Sequence, residues 1–396
     1  MRGSTAGITD GLKSTSRSYF LLLSFLDILM TTLVISPLVI SYWRGTWFLM
    51  DIYLFPESPM RTALASIAIG FLPIFVFTLL QGAFADWLHP SKHRLLWYGA
   101  SRLYTAAFGV ACVNSWRGVW KTLDLYTGLE TFEVSATTLF GVLFLLCIKC
   151  LRNISAVPFA IVTDRPEGYF AVPTMFKTSP KDNNIVLYSL DCFFSVFIIG
   201  SLLVFVWRGA WTLIDIFLFP GDPVFSAWYS LVIGYIVVFT TFALQPVVKK
   251  LVKKLEGFWR LCIVDAYLIF SFTGTINVWR GIWNLLSAYF IPSSPTTAAW
   301  VCHVGCFILL ILINSSNSVL VRGVYVDAEE EGSKCVDFPC YYLRLFFLAR
   351  RKKHLLRQFQ KKQIHSLKRR KSEVDGYSGA TESSAPQKSR VEEPPV

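Results

Sequence analysis

The chain has 396 residues, of which 54% are hydrophobic and only 16% are charged, and its formal net charge is +12. This composition lies outside the usage of soluble globular proteins and predicts an all-α membrane protein. Nucleic-acid binding is not indicated, because basic cytosolic loops and attraction to anionic lipid account for the positive charge.

Eight apolar runs follow one another along the chain, each about 20 residues long, which is the length that crosses a hydrocarbon core of about 30 Å. We therefore predict eight transmembrane helices. The first run is too long for a secretory signal and lacks a small-residue cleavage site, so we expect it to remain as an anchor. The predicted spans are Tyr19 to Tyr42, Thr62 to Gly82, Leu95 to Ser115, Val134 to Leu151, Ile185 to Val206, Ser226 to Val248, Phe258 to Val278 and Ala298 to Val321.

Lysine and arginine are distributed unevenly between alternate connections. The connection after the sixth run alone contains Lys249, Lys250, Lys253, Lys254 and Arg260, whereas the connections on the opposite side are poor in basic residues. Basic residues near span ends stay on the cytosolic side. Both termini are therefore predicted to be cytosolic, and the sparsely charged connections are predicted to face the outside or a lumen.

One five-residue motif, Trp-Arg-Gly-x-Trp, which we call the phrase, occurs at the end of every second apolar run. Tryptophans four residues apart share a helix face, and indole rings prefer the membrane interface, so we predict short interfacial helices on the outer face. The glycine allows a close turn of the backbone. The four copies consist of Trp43, Arg44, Gly45 and Trp47; Trp116, Arg117, Gly118 and Trp120; Trp207, Arg208, Gly209 and Trp211; and Trp279, Arg280, Gly281 and Trp283.

An aspartate follows the arginine by seven residues in the first three copies, as Asp51, Asp124 and Asp215. Seven residues are two helical turns, so an ion pair within each copy is expected. The fourth copy has Ser287 at this position, which makes Arg280 the exception. Two interpretations of the arginines stay open: a ring that binds an anion or filters ions, and interfacial anchors, which the flanking aromatic residues favour.

Identical residues recur at offsets of 164 or 163, as in Ser66 and Ser230 or Asp164 and Asp327. This pattern predicts a tandem duplication into two parallel four-helix repeats, related by a pseudo-two-fold axis along the membrane normal. The predicted divisions are a cytosolic segment at 1–17, the first repeat at 18–164, a cytosolic linker at 165–184, the second repeat at 185–326 and a basic, partly disordered cytosolic tail at 327–396.

Four charged residues lie within predicted spans: Asp27, Arg102, Asp191 and Asp265. A charge at that depth costs at least about 2.5 kcal/mol, so each needs a partner or a function. Arg102 and Asp265 occupy equivalent positions of the two halves, and we expect them to pair across the axis as structural contacts. A role in a solute or proton path is the alternative.

Catalytic and metal-binding patterns are nearly absent, so we expect neither an enzyme nor a cofactor. His89 and His93 are separated by a proline, which spoils the i, i+4 face of a metal-binding helix. Cysteines are expected to be packing residues rather than disulfides. Those near the cytosolic border, namely Cys147, Cys150, Cys335 and Cys340, are candidates for palmitoylation.

The tail alternates basic and apolar residues at helical spacing, which suits a helix that lies on anionic lipid of the inner leaflet. The more specific alternative is that this helix binds in the apolar groove of a calmodulin-like protein. The predicted contact residues are Arg350, Arg351, Lys352, Lys353 and Arg357.

The repeated phrase, followed by Asp-x-Tyr/Phe and Leu-Phe-Pro, resembles the Fuseless family of eight-pass membrane proteins over about Tyr19 to Val326. The resemblance implies a role at the presynaptic plasma membrane, where the family is implicated in placing voltage-gated calcium channels and supporting synaptic transmission. Partners would then be a calcium-channel complex or scaffold proteins. The alternative is a transporter or channel with a solute path between the two halves; scarce intramembrane charge and unbroken spans favour the organiser.

Overall fold

The computed structural model describes residues 17–91, 93–179, 184–338, 340–347, 350, 355–360, 363–364 and 366–367. Regular structure in these residues is helical throughout. The chain from Met1 to Tyr342 forms one compact unit, and the chain from Leu343 onward forms a second. The first unit therefore includes residues 327–342, which the sequence analysis placed in the tail.

Eight long helical rods make up the first unit. They begin after loops that hold proline or a capping side chain: Ser58 and Asp222, for example, cap helices whose first residue is a proline. The rods are α1 (residues 17–53), α2 (Pro59–Leu79), α3 (Arg94–Tyr126), α4 (Thr131–Cys147), α5 (Ile185–Phe217), α6 (Pro223–Val252), α7 (Gly257–Tyr289) and α8 (Pro295–Leu312), with a short helix at Gln81–Trp87 after α2.

Six of these rods are long and apolar enough to cross a membrane: α1, α2, α5, α6, α7 and α8. The fourth rod, α4, is apolar but has only 17 residues. The third, α3, has 33 residues and includes more polar side chains along its length. The described part of the chain thus supports an all-helical membrane protein with six candidate spans.

The odd-numbered helices continue well beyond the predicted spans. The run predicted to end at Tyr42 ends at Tyr53, and the run predicted to end at Val278 ends at Tyr289. The Trp-Arg-Gly-x-Trp phrases therefore lie inside long continuous helices. The prediction of separate interfacial helices is wrong, because the glycine does not turn the backbone here but remains helical.

Helices α1, α3, α5 and α7 contact one another in a closed inner ring, and each has an even-numbered helix packed outside it: α8 on α1, α2 on α3, α4 on α5 and α6 on α7. The glycine of each phrase lies at this crossing. A Cβ on Gly118 would be 2.6 Å from the Ile67 nitrogen, and one on Gly281 would be 2.8 Å from the Leu231 Cα. Small residues permit such close backbone approach between membrane helices.

Two largely irregular segments, each of which includes one short 3₁₀ helix (Leu151–Ile154 and Ser316–Val319), fill the ring from one end. We call residues 150–164 and 315–327 the floor segments. The first is buried without interruption, and the second is buried from residue 315 to residue 320. Backbone N–H and C=O groups that are buried in this way need hydrogen-bond partners inside the protein. Asp327 accepts hydrogen bonds from the Leu151 and Arg152 nitrogens at 2.7 Å each, and Asp164 accepts them from the Ser316 and Asn317 nitrogens at 2.9 and 2.8 Å.

Candidate functional site: the tryptophan rings

Eight tryptophans from the four phrases form two stacked rings around the axis of the inner helices. In the first ring, neighbouring indole centroids are 5.3–5.7 Å apart and the planes meet at 74–82°. In the second, the distances are 5.7–6.0 Å and the angles 82–85°. Each contact is edge-to-face, the arrangement that the indole quadrupole favours. The first ring is Trp43, Trp116, Trp207 and Trp279, and the second is Trp47, Trp120, Trp211 and Trp283.

The two rings enclose a cavity of about 200 Å³ that is lined by all eight tryptophans. The second ring is half-buried, while Trp43, Trp207 and Trp279 of the first ring are buried. The cavity therefore opens on the side of the second ring.

The floor segments close the opposite side of the cavity. The indole N–H groups of Trp43, Trp207 and Trp279 donate to the carbonyls of Val319, Ile154 and Val157 at 2.9, 3.0 and 3.0 Å. Only a space of about 20 Å³ remains between the first ring and these segments. The tryptophans are thus core and cavity residues, not interfacial anchors, and three of the first ring bind the floor backbone through their single donor.

The arginines join successive phrases rather than residues of one phrase. Arg117 donates to Asp51 at 2.8 Å, Arg208 to Asp124 at 2.8 Å and Arg280 to Asp215 at 2.7 Å. The expected pairs within a copy are wrong, because two helical turns rise about 11 Å along the axis, whereas the aspartate of the preceding helix lies beside the guanidinium.

Arg44 is the true exception, not Arg280, because the ring closes from the first copy to the fourth. Its Nε donates to Ser287 Oγ at 3.0 Å, where the other three arginines have a carboxylate. All four arginines are nearly inaccessible, with 0–4% of each residue exposed. They lie between helices and do not line the cavity. Arginines that filter ions would line the cavity, and interfacial anchors would face lipid; these four arginines do neither.

Hydroxyl groups of α2 and α6 complete two of the four arginine sites, and no role was predicted for them from the sequence. Arg117 also donates to Thr62 Oγ1 at 2.8 Å and contacts Ser66 Oγ at 2.5 Å. Arg280 donates to Ser226 Oγ and Ser230 Oγ at 2.7 Å each. Ser66 and Ser230 were recognised as matching positions, so the repeat offset was the signal that marked them.

Two of the four charged residues predicted to lie within spans, Arg102 and Asp191, contact segments outside the helical rods. Arg102 lies 3.6 Å from Asp164 and donates to Tyr169 Oη at 3.0 Å, so the predicted pair with Asp265 is wrong. Asp191 accepts from Thr174 Oγ1 at 2.7 Å and from Thr178 Oγ1 at 2.8 Å. These contacts hold a non-helical segment that the sequence alone could not place.

Asp27 and Asp265 have different surroundings. Asp27 accepts from the Tyr342 nitrogen at 3.2 Å, so it also holds a segment outside the helices. Asp265 is 8% exposed, and its Oδ1 has no hydrogen-bond partner among the described residues.

A family model named Fuseless matches residues 22–320, which is most of the chain and includes all four phrases. The chain belongs to the Fuseless family. This match confirms the resemblance that the phrases suggested. Searches of curated proteins and of solved structures gave no match.

Cysteine and histidine positions in this Fuseless-family chain show no metal centre: within the described residues, no group of three or more His, Cys, Asp or Glu side chains is placed to hold an ion. Of the palmitoylation candidates, Cys147 is exposed, whereas Cys150, Cys335 and Cys340 are buried. Burial raises the pKa of the Cys150 thiol to about 12, which removes its thiolate at neutral pH.

The described part of the second unit includes Arg350 and Arg357, both exposed, and a helical stretch over residues 355–360. Leu355, Leu356 and Phe359 are exposed in that stretch as well. The other predicted lipid-contact residues, Arg351, Lys352 and Lys353, lie outside the described residues.

Proposed function

We propose that this Fuseless-family protein is a presynaptic membrane organiser that helps to position voltage-gated calcium channels and so supports synaptic transmission. The observation that carries the proposal is the filled axis: the floor segments occupy the centre of the helix ring beneath the tryptophan cavity. A rigid, internally bonded body suits a protein that holds partners better than one that alternates between two openings.

The proposed topology has eight membrane passes in two parallel four-helix repeats, both termini in the cytosol and the tryptophan rings on the outer face of the plasma membrane. Support comes from matched bonding in the two halves. Asp164 binds the turn that begins at Ser316, and Asp327 binds the equivalent turn at Leu151. The basic residues between α6 and α7 support a cytosolic position for that connection, since basic residues near span ends stay on the cytosolic side.

The basic tail is the proposed contact with anionic inner-leaflet lipid and with the channel complex or its scaffold. Exposed Arg350 and Arg357 next to exposed apolar residues supply both components of surface binding. No cofactor and no enzymatic step enter this proposal.

The test is co-expression with a voltage-gated calcium channel in cultured cells. We expect the full-length protein to co-purify with the channel and to raise its density at the cell surface. A chain that ends at Tyr342 should reach the membrane but lose both effects. A chain that ends at Lys371 is the matched control, since it keeps the basic stretch and should retain both. Equal channel density with and without the full-length protein would reject the organiser.

A transporter or channel is the second candidate, and one observation favours it: the tryptophan cavity lies on the axis of the helix ring and opens to one side. Purified protein in liposomes decides between the two. Passage of ions or small solutes, together with no binding of a calcium channel, would support transport and contradict the organiser.

A further inference from the structure

The arginine ring is incomplete at one position, and Arg44 lies there. Its partner on α7 is the neutral Ser287, whose hydroxyl donates to the Trp283 carbonyl at 3.0 Å while it accepts from Arg44 Nε. Arg44 Nη1 is buried and, like Arg208 Nη1, has no hydrogen-bond partner among the described residues; Arg44 as a whole is only 4% exposed. The guanidinium carbon lies 4.5 Å from the centroid of the Phe48 ring.

The outer helix α8 offers Arg44 less than α2 and α6 offer Arg117 and Arg280. Counting from the proline that starts α2, α6 and α8, the third and seventh following residues are Thr62 and Ser66 in α2 and Ser226 and Ser230 in α6, all of which bind an arginine. The same positions of α8 are Ala298 and Cys302. A methyl group and a thiol replace two hydroxyls, and a thiol is a weak acceptor.

Among the four phrase arginines, Arg44 is therefore the one whose partner carries no charge, and it also lacks the outer-helix hydroxyls that bind Arg117 and Arg280. A guanidinium keeps its proton in proteins, and a buried charge without a counter-charge is strongly unfavourable. The face of one aromatic ring compensates only part of this. The neighbouring His303 is bonded to Thr46 at 2.8 Å, and its imidazole, whether neutral or cationic, supplies no negative charge.

The position is reachable from solvent. The carboxylates that fill the three equivalent positions, those of Asp51, Asp124 and Asp215, are 33%, 36% and 47% exposed. Ser287 is exposed as well.

We propose that a small monovalent anion from the aqueous phase, a halide such as chloride, binds beside Ser287 within reach of the Arg44 guanidinium and supplies the charge of the missing carboxylate. The anion completes the fourth charge pair and links α1 to α7, which are the first and last members of the inner ring. This site is independent of the proposed organiser role, because it concerns closure of the helix ring and not a channel partner.

The test measures thermal unfolding of the purified full-length protein in phospholipid-free detergent, with sodium chloride exchanged for sodium gluconate at constant ionic strength. We expect chloride to raise the melting temperature saturably, as a ligand of the native state does. Ser287→Asp supplies its own carboxylate, so it should melt higher than wild type in gluconate and should not respond to chloride. Asp215→Ser opens the equivalent position at Arg280 and should increase the chloride response.

Equal chloride responses of wild type and Ser287→Asp would overturn the proposal, since the effect would then be a general salt effect. Stabilisation by added phosphatidylglycerol in gluconate, without a chloride effect, would also overturn it, because the anion would then be a lipid phosphate. If Ser287→Asp fails to fold, crystals of the wild type soaked in bromide decide: an anomalous peak beside Arg44 supports the site, and an empty position there refutes it.

Discussion

The arginines of the four phrases are among the few charged side chains of this protein, and all four are buried between packed helices. Arg208 has no measurable exposure, yet it reaches Asp124 at 2.8 Å and the Gly128 carbonyl at 2.6 Å. A buried charge of this kind stabilises the fold only while its partner is present. An arginine of this kind therefore stabilises the contact between neighbouring inner helices only while its carboxylate partner is present.

Asp124→Ala should destabilise the protein by about 2–4 kcal/mol, because it leaves Arg208 buried without its counter-charge. Thermal unfolding of purified protein, or resistance to unfolding by denaturant, measures the loss. Ser287→Ala is the matched control at the equivalent position and should cost much less, since it removes no charge. Equal losses in the two variants would contradict the link between stability and the carboxylate.

Asp327 makes one pH dependence predictable. Burial raises the pKa of its carboxyl to about 6, although hydrogen bonds from the Arg152 and Leu151 nitrogens and the charge of Arg152 act in the opposite direction. Between the ordinary value of 3.8 and about 6, the folded state binds this proton more readily than the unfolded state. Protonation of Asp327 therefore stabilises the fold as the pH falls through 6.

The melting temperature of wild type, relative to that of Asp327→Asn, should rise as the pH is lowered from 7.5 to 5. The comparison cancels the contributions of other carboxyls. Infrared difference spectra offer a direct readout: the carboxylic C=O band that appears in wild type over this range should be missing in the variant. A constant difference in melting temperature at all pH values would refute the raised pKa.

At the scale of helices, the glycine of each phrase sets the distance between an inner helix and the outer helix packed on it. Gly118 and Gly99 lie on the same helix, α3, but a Cβ on Gly118 would approach the α2 backbone at 2.6 Å, whereas one on Gly99 would meet nothing within 4 Å. The phrase thus combines an inward tryptophan, an arginine between helices and an outward glycine within three residues.

Gly118→Ala should destabilise the protein by about 1–3 kcal/mol, because α2 must move away from α3. Gly99→Ala in the same helix should be neutral or stabilise by about 0.5–1 kcal/mol, since alanine restricts the unfolded chain. Melting temperatures of the two purified variants give the comparison. A Gly118→Ala protein as stable as wild type would show that the close approach is not required.

Apolar length in the sequence predicted the order of the helical rods but did not locate their ends. The run predicted to end at Tyr42 continues to Tyr53, and the residues before Pro56, Pro220 and Pro292 have a positive φ of 48–49° just beyond the ends of their rods. The direction of each phrase was not predictable in this way. Tryptophans four residues apart lie on one face of a helix, but that face can point either to the membrane interface or to the axis of a helix ring.

The partners of the charged groups required the tertiary arrangement. Asp51 lies two turns from Arg44 in the chain, yet it pairs with Arg117 because adjacent helices bring them together. Likewise, the sequence matched Asp164 to Asp327 without showing that each binds the other half. The repeat offset identified equivalent residues, whereas contacts between repeats depend on geometry that no offset contains.

At the scale of the whole first unit, the floor segments join the halves. Asp164 of the first half binds the Ser316 turn, Asp327 binds the Leu151 turn, and the Asp327 nitrogen donates to the Lys149 carbonyl at 2.7 Å. Two halves with reciprocal bonds should associate strongly even when the chain between them is cut.

Residues 1–181 and 182–396, co-expressed as separate chains, should therefore purify as one complex. Asp164→Ala together with Asp327→Ala should reduce recovery of the complex several-fold, because both turns lose their acceptor. Glu57→Ala, at an exposed loop position, is the control and should leave recovery unchanged. Recovery that is independent of both aspartates would place the association elsewhere, in the tryptophan and arginine rings.

The exchange of floor segments also dictates an order of events during biosynthesis. The turn at Leu151 emerges from the ribosome early, but its acceptor, Asp327, is translated 176 residues later. Until then the first four helices lack the residue that closes their base. Chains that stall or terminate between Leu312 and Asp327 should consequently be recognised by membrane quality control as unfinished, even though they contain all eight helical rods.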